Sequence, residues 1–488
     1  MSCKKQPNLT RRKQQQVKVT RRQNKTVIRE AVEWLSREPG LFPKQLFHGN
    51  VKWKPEQLAS LALVWAWQET KYVTNAFEHA LEVCDELGMG KTAQSYTSMM
   101  NALVRYSKVL MGRLLQRLQT QAQAVGGRHW QTGGWVPMAF DGSRITAPRT
   151  VSNEQAFCAA NYGKGKRAKY GKKKSQGLRR ERNKQNPPHP PAPQVWVTLL
   201  WHMQLRLPWT WRLGPSNSSE RGHVLEMLME EEFPDSTLFC GDAGFIGYPF
   251  WSQFEQQGYH FLVRIGGNVN LLSEHADFKK IDDGLVLCWP KGQMASGNPP
   301  LRLRLVKVMV GKTQMWLLTN ALDPEQLTRE QIKRFYKMRW GIEVEFRGLK
   351  QTLAKRSLRC RNADRLMVEL NWSLYGMAVA ELLALREQVA AAEEKKDTEY
   401  NPQRRSLAET MRALRKYMRT PSKYTSETEG LCHELSKAIV QRYTNRTDKR
   451  ARYRPKNPDK KELGEPTIRK LASSERKMLA QHTQAAAA

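Results

Sequence analysis

Hydrophobic residues in the first third of the chain recur at steps of three and four, which is the pattern of amphipathic helices. One predicted helix begins at Pro55 and runs to Trp67, because proline is favoured at the first helical position. A second apolar stripe predicts a longer helix, and it consists of Tyr96, Met100, Leu103, Leu110, Leu114 and Leu118. The pattern predicts a helical domain over residues 31–130.

After two Gly-Gly pairs between residues 126 and 134, the pattern changes to short apolar runs separated by turn residues. Helices are predicted at residues 224–231 and 249–257. Strands are predicted at residues 135–140, 144–151, 195–203, 237–242, 259–265, 285–289, 301–310 and 314–319. Alternating strands and helices favour an α/β core with a mixed sheet. We assign this core to residues 131–388.

The charge of the chain indicates a polyanionic partner. It has 81 Lys and Arg against 46 Asp and Glu, a formal net charge of +35. A ribosomal or chromatin-type binder would carry such a charge too, but 40% hydrophobic residues and 15 Trp indicate substantial cores. The basic residues concentrate in an arm at residues 1–30, expected to be flexible, a Pro-rich loop at 163–194 and a C-terminal region at 389–488, predicted to be partly helical.

Seven scattered cysteines form no Cys-x-x-Cys pair and no zinc-site spacing, so we expect reduced thiols. The longest apolar run, residues 58–67, is too short to cross a membrane, and the N-terminus has no apolar signal core. We therefore expect an intracellular protein with no membrane partner. The run Gly88–Thr92 echoes a phosphate loop, but Asp85 stands where that motif needs glycine, so a helix-ending turn is the better interpretation.

Residues 335–350 set two stripes side by side on one predicted helix. The apolar stripe comprises Phe335, Met338, Ile342, Phe346, Leu349 and Leu353. The second lies about 100° around the helix and comprises Tyr336, Arg339, Glu343, Arg347 and Lys350. A carboxylate in a basic row suits a metal ligand beside phosphates, although ion pairs of Glu343 with Arg339 or Arg347 would explain it equally well. Glu345 falls on another face.

Two further carboxylates, Asp141 and Asp242, follow predicted strands. Either could be a turn residue, because Asp before or near Gly is common in turns. Together with Glu343 they place three carboxylates in three separate elements, where reacting groups of an α/β core collect. Mg²⁺ prefers carboxylate oxygens, and two such ions serve in-line phosphoryl transfer.

The Tyr-x-x-Arg-x-x-x-Glu-x-x-x-x-x-x-Lys spacing of Tyr336, Arg339, Glu343 and Lys350, with Asp141-Gly-Ser and Asp242-Ala-Gly-Phe upstream, resembles the DDE transposases of bacterial insertion sequences. The resemblance is to insertion sequence family four, and it covers about residues 135–387. It implies an RNase H-like catalytic core with a β-strand insertion, at about residues 270–312, before the last catalytic helix.

The same resemblance implies site roles and partners. Asp141, Asp242 and Glu343 would be catalytic and would bind two Mg²⁺ ions, with Mn²⁺ able to substitute. The DNA contacts would come from Tyr336, Arg339, Arg347 and Lys350. The helical domain at 31–130 would bind DNA, and the protein would act as a homodimer on double-stranded DNA in the bacterial cytoplasm, at the nucleoid. Some relatives hold a flipped base on a Trp of the insertion; Trp289 and Trp316 are local candidates, although either could be a packing residue.

The expected function is that of a DNA transposase, which binds the terminal repeats of its element, cleaves there and joins the ends to target DNA. Two alternatives remain open from the sequence. One is a metal-dependent DNA nuclease on the same core, which cuts without joining. The other is a catalytically silent DNA-binding protein that represses the element.

Overall fold

The structure is a computed structural model. It describes residues 27–43, 46–47, 53–89, 95–157, 192–274, 283–289, 297–311, 313–419, 430–440 and 463–487. The basic arm predicted at residues 1–30 and the basic loop predicted at 163–194 therefore lie almost wholly outside the described residues.

The first part of the described chain is helical. After a short helix at residues 27–33 come α1 (Pro55–Trp67), α2 (Val73–Glu86) and α3 (Tyr96–Gly126). Helix α1 has the predicted bounds, with Pro55 at its first position. Helix α3 begins where the Ser95 side chain accepts a hydrogen bond from the Ser98 amide, and most of its predicted stripe is buried.

The centre of the molecule is a mixed sheet of ten strands in the order β10-β6-β7-β8-β9-β5-β4-β1-β2-β3. Strand β1 is parallel to β4, and β4 is parallel to β5, whereas β1–β2, β2–β3 and β5–β9 are antiparallel pairs. The predicted α/β class with a mixed sheet is confirmed. The bounds are β1 Val136–Thr146, β2 Gln194–His202, β3 Leu207–Gly214, β4 Thr237–Gly241, β5 His260–Ile265, β6 Asn270–Ser273, β7 Asp283–Cys288, β8 Leu301–Val310, β9 Thr313–Thr319 and β10 Thr467–Lys470.

Strand β1 differs from its prediction. It does not end at Asp141 but continues to Thr146, and no separate strand covers residues 144–151. The chain stays extended because β2 pairs with β1 all the way to Thr146 opposite Gln194. A helix, α4 (Val151–Phe157), follows instead.

Helix α5 (Glu220–Glu230) lies between β3 and β4 in the chain, and α6 (Tyr248–Gln256) connects the parallel strands β4 and β5. The long α9 (Ala363–Glu394) joins the helical N-terminal part to the sheet. Its Gly376 carbonyl accepts a hydrogen bond from the Trp67 indole at 2.7 Å, and its Asn371 accepts one from Trp211 of β3 at 2.9 Å. The remaining C-terminal helices are α10 (Leu407–Arg419), α11 (Leu431–Ser436) and α12 (Ser473–Ala487).

The predicted single helix through residues 335–353 is interrupted. Helix α7 (Arg329–Arg339) begins at a capping box formed by Thr328 and Gln331, and α8 (Gly341–Arg347) starts after a break at Trp340. A π-helical turn, residues 348–352, ends this segment, so the helix does not run on into α9. The break fits a packing constraint, because a Cβ on Gly341 would lie 2.2 Å from the buried indole of Trp201.

Within the described residues, no helix is long and apolar enough to cross a membrane. The five described cysteines are free thiols, as their scattered positions predict. His202 is a buried core residue that contacts the Trp130 carbonyl and the Leu205 amide, and Gly88 ends α2 with a positive φ.

Candidate active site

Asp141 and Asp242 lie side by side where the parallel strands β1 and β4 stop pairing. The last paired residues are Ala139 and Cys240, and each aspartate follows its strand's last paired residue by two positions. Side chains alternate along a strand, so both carboxylates project from the same face at the same level. Only Asp242 lies beyond a strand end, since β1 continues past Asp141.

Each aspartate is held by a backbone amide of its own segment. The Gly142 amide donates to Asp141 Oδ1 at 2.8 Å, and the Gly244 amide donates to Asp242 Oδ1 at 2.7 Å. Among the described residues, no further donor contacts either carboxylate. The remaining oxygens are therefore available to a cation or a substrate.

The pKa of Asp141 shows that the acidic side chains of the site lie close to one another. This pKa is raised to about 6, chiefly by burial and also by the negative charges of Asp242 and Glu343, although the Gly142 amide and Arg339 act to lower it. A carboxylate responds in this way to like charges only over short distances. The three carboxylates therefore share one local electrostatic field.

Glu343 lies on α8 and is 36% exposed. Its Oε1 is 3.3 Å from Nη2 of Arg339, so the ion pair left open by the sequence is present. Glu343 and Asp141 both line a cleft of about 500 Å³, together with Ser143, Arg347, Lys350 and Arg356.

The four proposed DNA contacts separate into two pairs. Tyr336 and Arg339 are buried, each with 7% of its surface exposed. Burial opposes the charge of Arg339, but Tyr336, Asp141, Asp242 and Glu343 raise its pKa above the ordinary value. Arg339 thus neutralises the carboxylates from inside the protein.

The other pair faces the cleft. Arg347 is exposed, and Lys350 is half-buried. The Lys350 ammonium donates a hydrogen bond to the Ser143 hydroxyl at 2.6 Å. Burial and the neighbouring Arg356 lower the pKa of Lys350, and Asp141 opposes that shift. These cations are placed to meet an anion that enters the cleft.

The carboxylate oxygens fit Mg²⁺ in their chemistry. The accumulated negative charge on Asp141 and Asp242 would be relieved by a divalent ion. However, no group of three or more His, Cys, Asp or Glu side chains in the described parts of the chain is close enough to hold a metal as it stands. The third carboxylate, Glu343, is held by Arg339 instead.

Sequence reasoning missed Glu220, the first residue of α5. It is half-buried, and burial, Asp141 and Asp242 raise its pKa to about 7, while Arg144 opposes the shift. The helix was predicted to begin only at Val224. The signal that could have extended it is Ser219, whose side chain caps α5 by accepting from the Gly222 amide.

Glu345 lies on a different face of α8 from Glu343, as the helical spacing predicts, and this face is turned into the protein. It is only 2% exposed and is hydrogen-bonded to Glu381 of α9 inside the protein. Of the two tryptophans considered for base binding, Trp316 is 6% exposed, and the Trp289 indole donates to the Asn298 carbonyl. Both are packed in the structure.

The chain is similar to a known protein family over a part of its length that includes Asp242 and Glu343 but not Asp141. Residues 197–375 match the family model described as Transposase DDE domain. The chain is 31% identical over 153 residues to "Putative transposase y4zB" of Sinorhizobium fredii (strain NBRC 101917 / NGR234). The aligned region covers 29% of this chain and 41% of that protein. The match therefore spans less than half of the relative's length.

Among solved structures, the chain is similar to one described as a piggyBac transposase synaptic complex with hairpin DNA. The likeness covers 88% of this chain and 87% of that one, at 11% identity and a TM-score of 0.37. From the two sequence comparisons, the central part of the chain is similar to transposase DDE domains, and the chain has partial similarity to a transposase.

Proposed function

We propose that the protein is a DNA transposase that binds the ends of its own element, cleaves there and joins the ends to target DNA. The observation that carries the proposal is the level placement of Asp141 and Asp242 on neighbouring parallel strands, with Glu343 in the same electrostatic field. The match to a transposase DDE domain over residues 197–375 supports it.

In this proposal Asp141, Asp242 and Glu343 hold two Mg²⁺ ions, for which Mn²⁺ can substitute. When bound, the ions stabilise the attacking and leaving oxygens of an in-line displacement at phosphorus. Water is the attacking group in cleavage, and the freed 3′-hydroxyl is the attacking group in joining. The protein's own contribution is to fix the three carboxylates on rigid elements of the sheet and of α8.

The basic residues in and beside the cleft have different roles in DNA binding and in the charge of the site. Arg347, Lys350 and Arg356 line the cleft and neutralise backbone phosphates as the DNA enters. Ser143 holds the Lys350 ammonium beside Asp141, so that the cation is in place before DNA binds. Arg339 and Tyr336 are buried beside the carboxylates. Their role is to position Glu343 and to determine the net charge of the site, and they do not contact DNA phosphates outside it.

The proposal extends to the whole chain. The order β3-β2-β1-β4-β5, with an antiparallel meander followed by parallel strands, supports an RNase H-like core within residues 131–388. The β insertion would occupy about residues 270–312. Double-stranded DNA would be bound by the helical domain at 31–130 and by the basic regions at 1–30, 163–194 and 389–488. The active form would be a homodimer. The net charge of +35 makes binding salt-dependent and favours action at the nucleoid.

The test is incubation of the purified chain with DNA carrying the two sequences that flank its gene, a target plasmid and Mg²⁺. Joined products are expected. Cut ends without joining would indicate a nuclease, and binding without either reaction would indicate a repressor and exclude both enzymes. Asp242→Asn should abolish the reaction, whereas Asp235→Asn, an exposed aspartate before β4, should leave it unchanged.

A further inference from the structure

We propose that Glu369 of α9 is a positioning residue that holds Arg356 in the cleft, where Arg356 contacts a DNA phosphate; this inference rests on the proposed function. Arg356 belongs to a short loop, residues 355–360, between the π-helical turn and α9. Three observations carry the inference: the contacts of Glu369 with both ends of this loop, the attachment of the loop to β1, and the approach of Arg356 to Lys350.

The first observation is that one carboxylate holds both ends of the loop. Oε1 of Glu369 accepts a hydrogen bond from the Lys355 ammonium at 3.0 Å. Oε2 accepts from the amides of Arg359 and Cys360, each at 2.9 Å. Arg356 lies between these two points of attachment. A single side chain of α9 therefore fixes the segment that carries Arg356.

The contacts of Glu369 are those of an ionised group. The residue has no exposed surface, and burial raises its pKa. Lys355 and the amides of Arg359 and Cys360 lower that pKa by more, so it lies below the ordinary value. Hydrogen bonds to a charged acceptor are stronger than neutral ones, and a buried charge that loses its partners is strongly destabilising. The loop is thus held by more than packing.

The second observation is that the same loop is attached to β1. The Thr146 amide donates to the Arg356 carbonyl at 3.3 Å, and the Leu358 amide donates to the Thr146 carbonyl at 2.8 Å. Thr146 is the last residue of β1, the strand that also carries Asp141 and Ser143. The backbone of Arg356 is therefore fixed relative to the candidate site.

The third observation is that Arg356 is held near another cation. Its side chain is exposed and lines the cleft with Lys350 and Asp141. Burial and the charge of Arg356 lower the pKa of Lys350, although Asp141 acts to raise it. Among the residues that the structure describes, the Arg356 guanidinium has no hydrogen bond or ion pair. Two neighbouring cations repel each other, and a bound anion would relieve that repulsion. In the proposed function this anion is a backbone phosphate.

The experiment measures binding of the full-length chain to a fluorescein-labelled duplex with the sequence that flanks its gene, by anisotropy at several salt concentrations. Arg356→Ala should reduce the slope of log affinity against log salt by about one unit. Glu369→Gln should reduce it similarly, because the single amide oxygen cannot accept from both ends of the loop. An unchanged slope in Glu369→Gln would overturn the proposal.

A double-mutant cycle separates positioning from a general effect on folding. In an Arg356→Ala background, Glu369→Gln should change the slope little further, because the cation that it positions is absent. Fully additive effects would refute the positioning role. Asn371→Ala, on the same helix, removes the acceptor of the Trp211 indole and should leave the slope unchanged. Thermal melts would establish that each variant is folded at the assay temperature.

Glu369→Asp keeps the test decisive if Glu369→Gln does not fold. It retains the negative charge, but its side chain is shorter by one methylene and cannot reach Lys355 and the two amides together. The slope should therefore fall in this variant too. A wild-type slope in Glu369→Asp would contradict the two-ended contact.

Failure of this inference can be told from failure of the proposed function. If the wild-type chain binds the duplex and Arg356→Ala lowers the slope while both Glu369 variants keep it, only the positioning role is refuted. If Arg356→Ala keeps the slope, its phosphate contact is refuted, and the role of Glu369 with it. If the wild-type chain does not bind DNA, the proposed function itself fails.

Discussion

The guanidinium of Arg339 lies 3.3 Å from the carboxylate of Glu343 and acts electrostatically on Asp141 and Asp242 as well. One buried cation therefore balances three carboxylates. This makes Arg339 a determinant of the protonation state of the site, since its positive charge lowers the pKa of Asp141.

Arg339→Gln should therefore raise the pKa of Asp141 above its value of about 6. Metal binding requires the ionised carboxylate, so the acid limb of Mn²⁺ binding should move to higher pH, by about one unit. Calorimetric titrations between pH 5 and 8 would measure the shift. Arg334→Gln, an exposed position on the same helix, is the control; an identical pH profile in both variants would assign Arg339 to packing alone.

Glu343 and Glu345 provide a second comparison on a single turn of α8. Glu343→Ala should abolish DNA cleavage with little change in the free energy of unfolding, because Glu343 is partly exposed and its side chain faces the cleft. Glu345→Ala should instead lower that free energy by about 2–4 kcal/mol. Its carboxyl is buried with Glu381 and near Arg206 and Arg405, and burial and Glu381 raise its pKa well above the usual range.

Denaturant unfolding and a cleavage assay on both variants would check this. Glu345→Gln can still hydrogen-bond to Glu381 and should recover much of the stability. Comparable stability of Glu345→Ala and wild type would show that the buried cluster contributes nothing to folding.

Four particular residues show what the sequence could and could not predict. The apolar runs before Asp141 and Asp242 identify two strands, but that these strands are neighbours and that β1 continues past Asp141 follow only from the pairing of the sheet. The environment of Glu345 could not be predicted from local pattern, because it is formed by α9 and by Arg405, which come from distant parts of the chain. Glu220 was missed for the same reason, since its significance comes from contact across the sheet with Gly142.

The raised pKa of Asp141 also has a consequence for stability. Its folded-state pKa of about 6 lies above the ordinary value of 3.8, so ionising it opposes folding. The stability that the protonated group provides is fully present below pH 3.8 and is lost as the pH rises through 6. In metal-free buffer, Asp141→Asn should thus be more stable than wild type at pH 8, by about 1–2 kcal/mol after allowance for solvent.

That advantage should shrink steadily as the pH falls below 6, and thermal melts of both proteins with a chelator present would follow it. Asp235→Asn provides the matched change at an exposed site. A stability difference between Asp141→Asn and wild type that does not vary with pH would contradict the assigned charge effect.

Gly341 connects the packing of the core to the placement of Glu343. Gly341→Ala would put a methyl carbon 2.2 Å from the Trp201 indole, which is 1% exposed and has no space to move into. We expect a loss of about 1–3 kcal/mol in the free energy of unfolding, together with reduced cleavage because α8 shifts. Gly112→Ala, in α3 with open space around it, should leave cleavage unchanged and stabilise the protein slightly.

Lys350 tests the proposed phosphate contact. Its ammonium, 2.6 Å from the Ser143 hydroxyl, lies in the cleft beside Asp141. If it binds a backbone phosphate, Lys350→Ala should weaken DNA binding and reduce the slope of log affinity against log salt by about one unit. Fluorescence anisotropy at several salt concentrations would measure the slope. Lys337→Ala, exposed on α7 and outside the cleft, should change the slope less. An unchanged slope for Lys350→Ala would mean that this lysine only holds Ser143, and the phosphate contact would then have to come from Arg347 or Arg356.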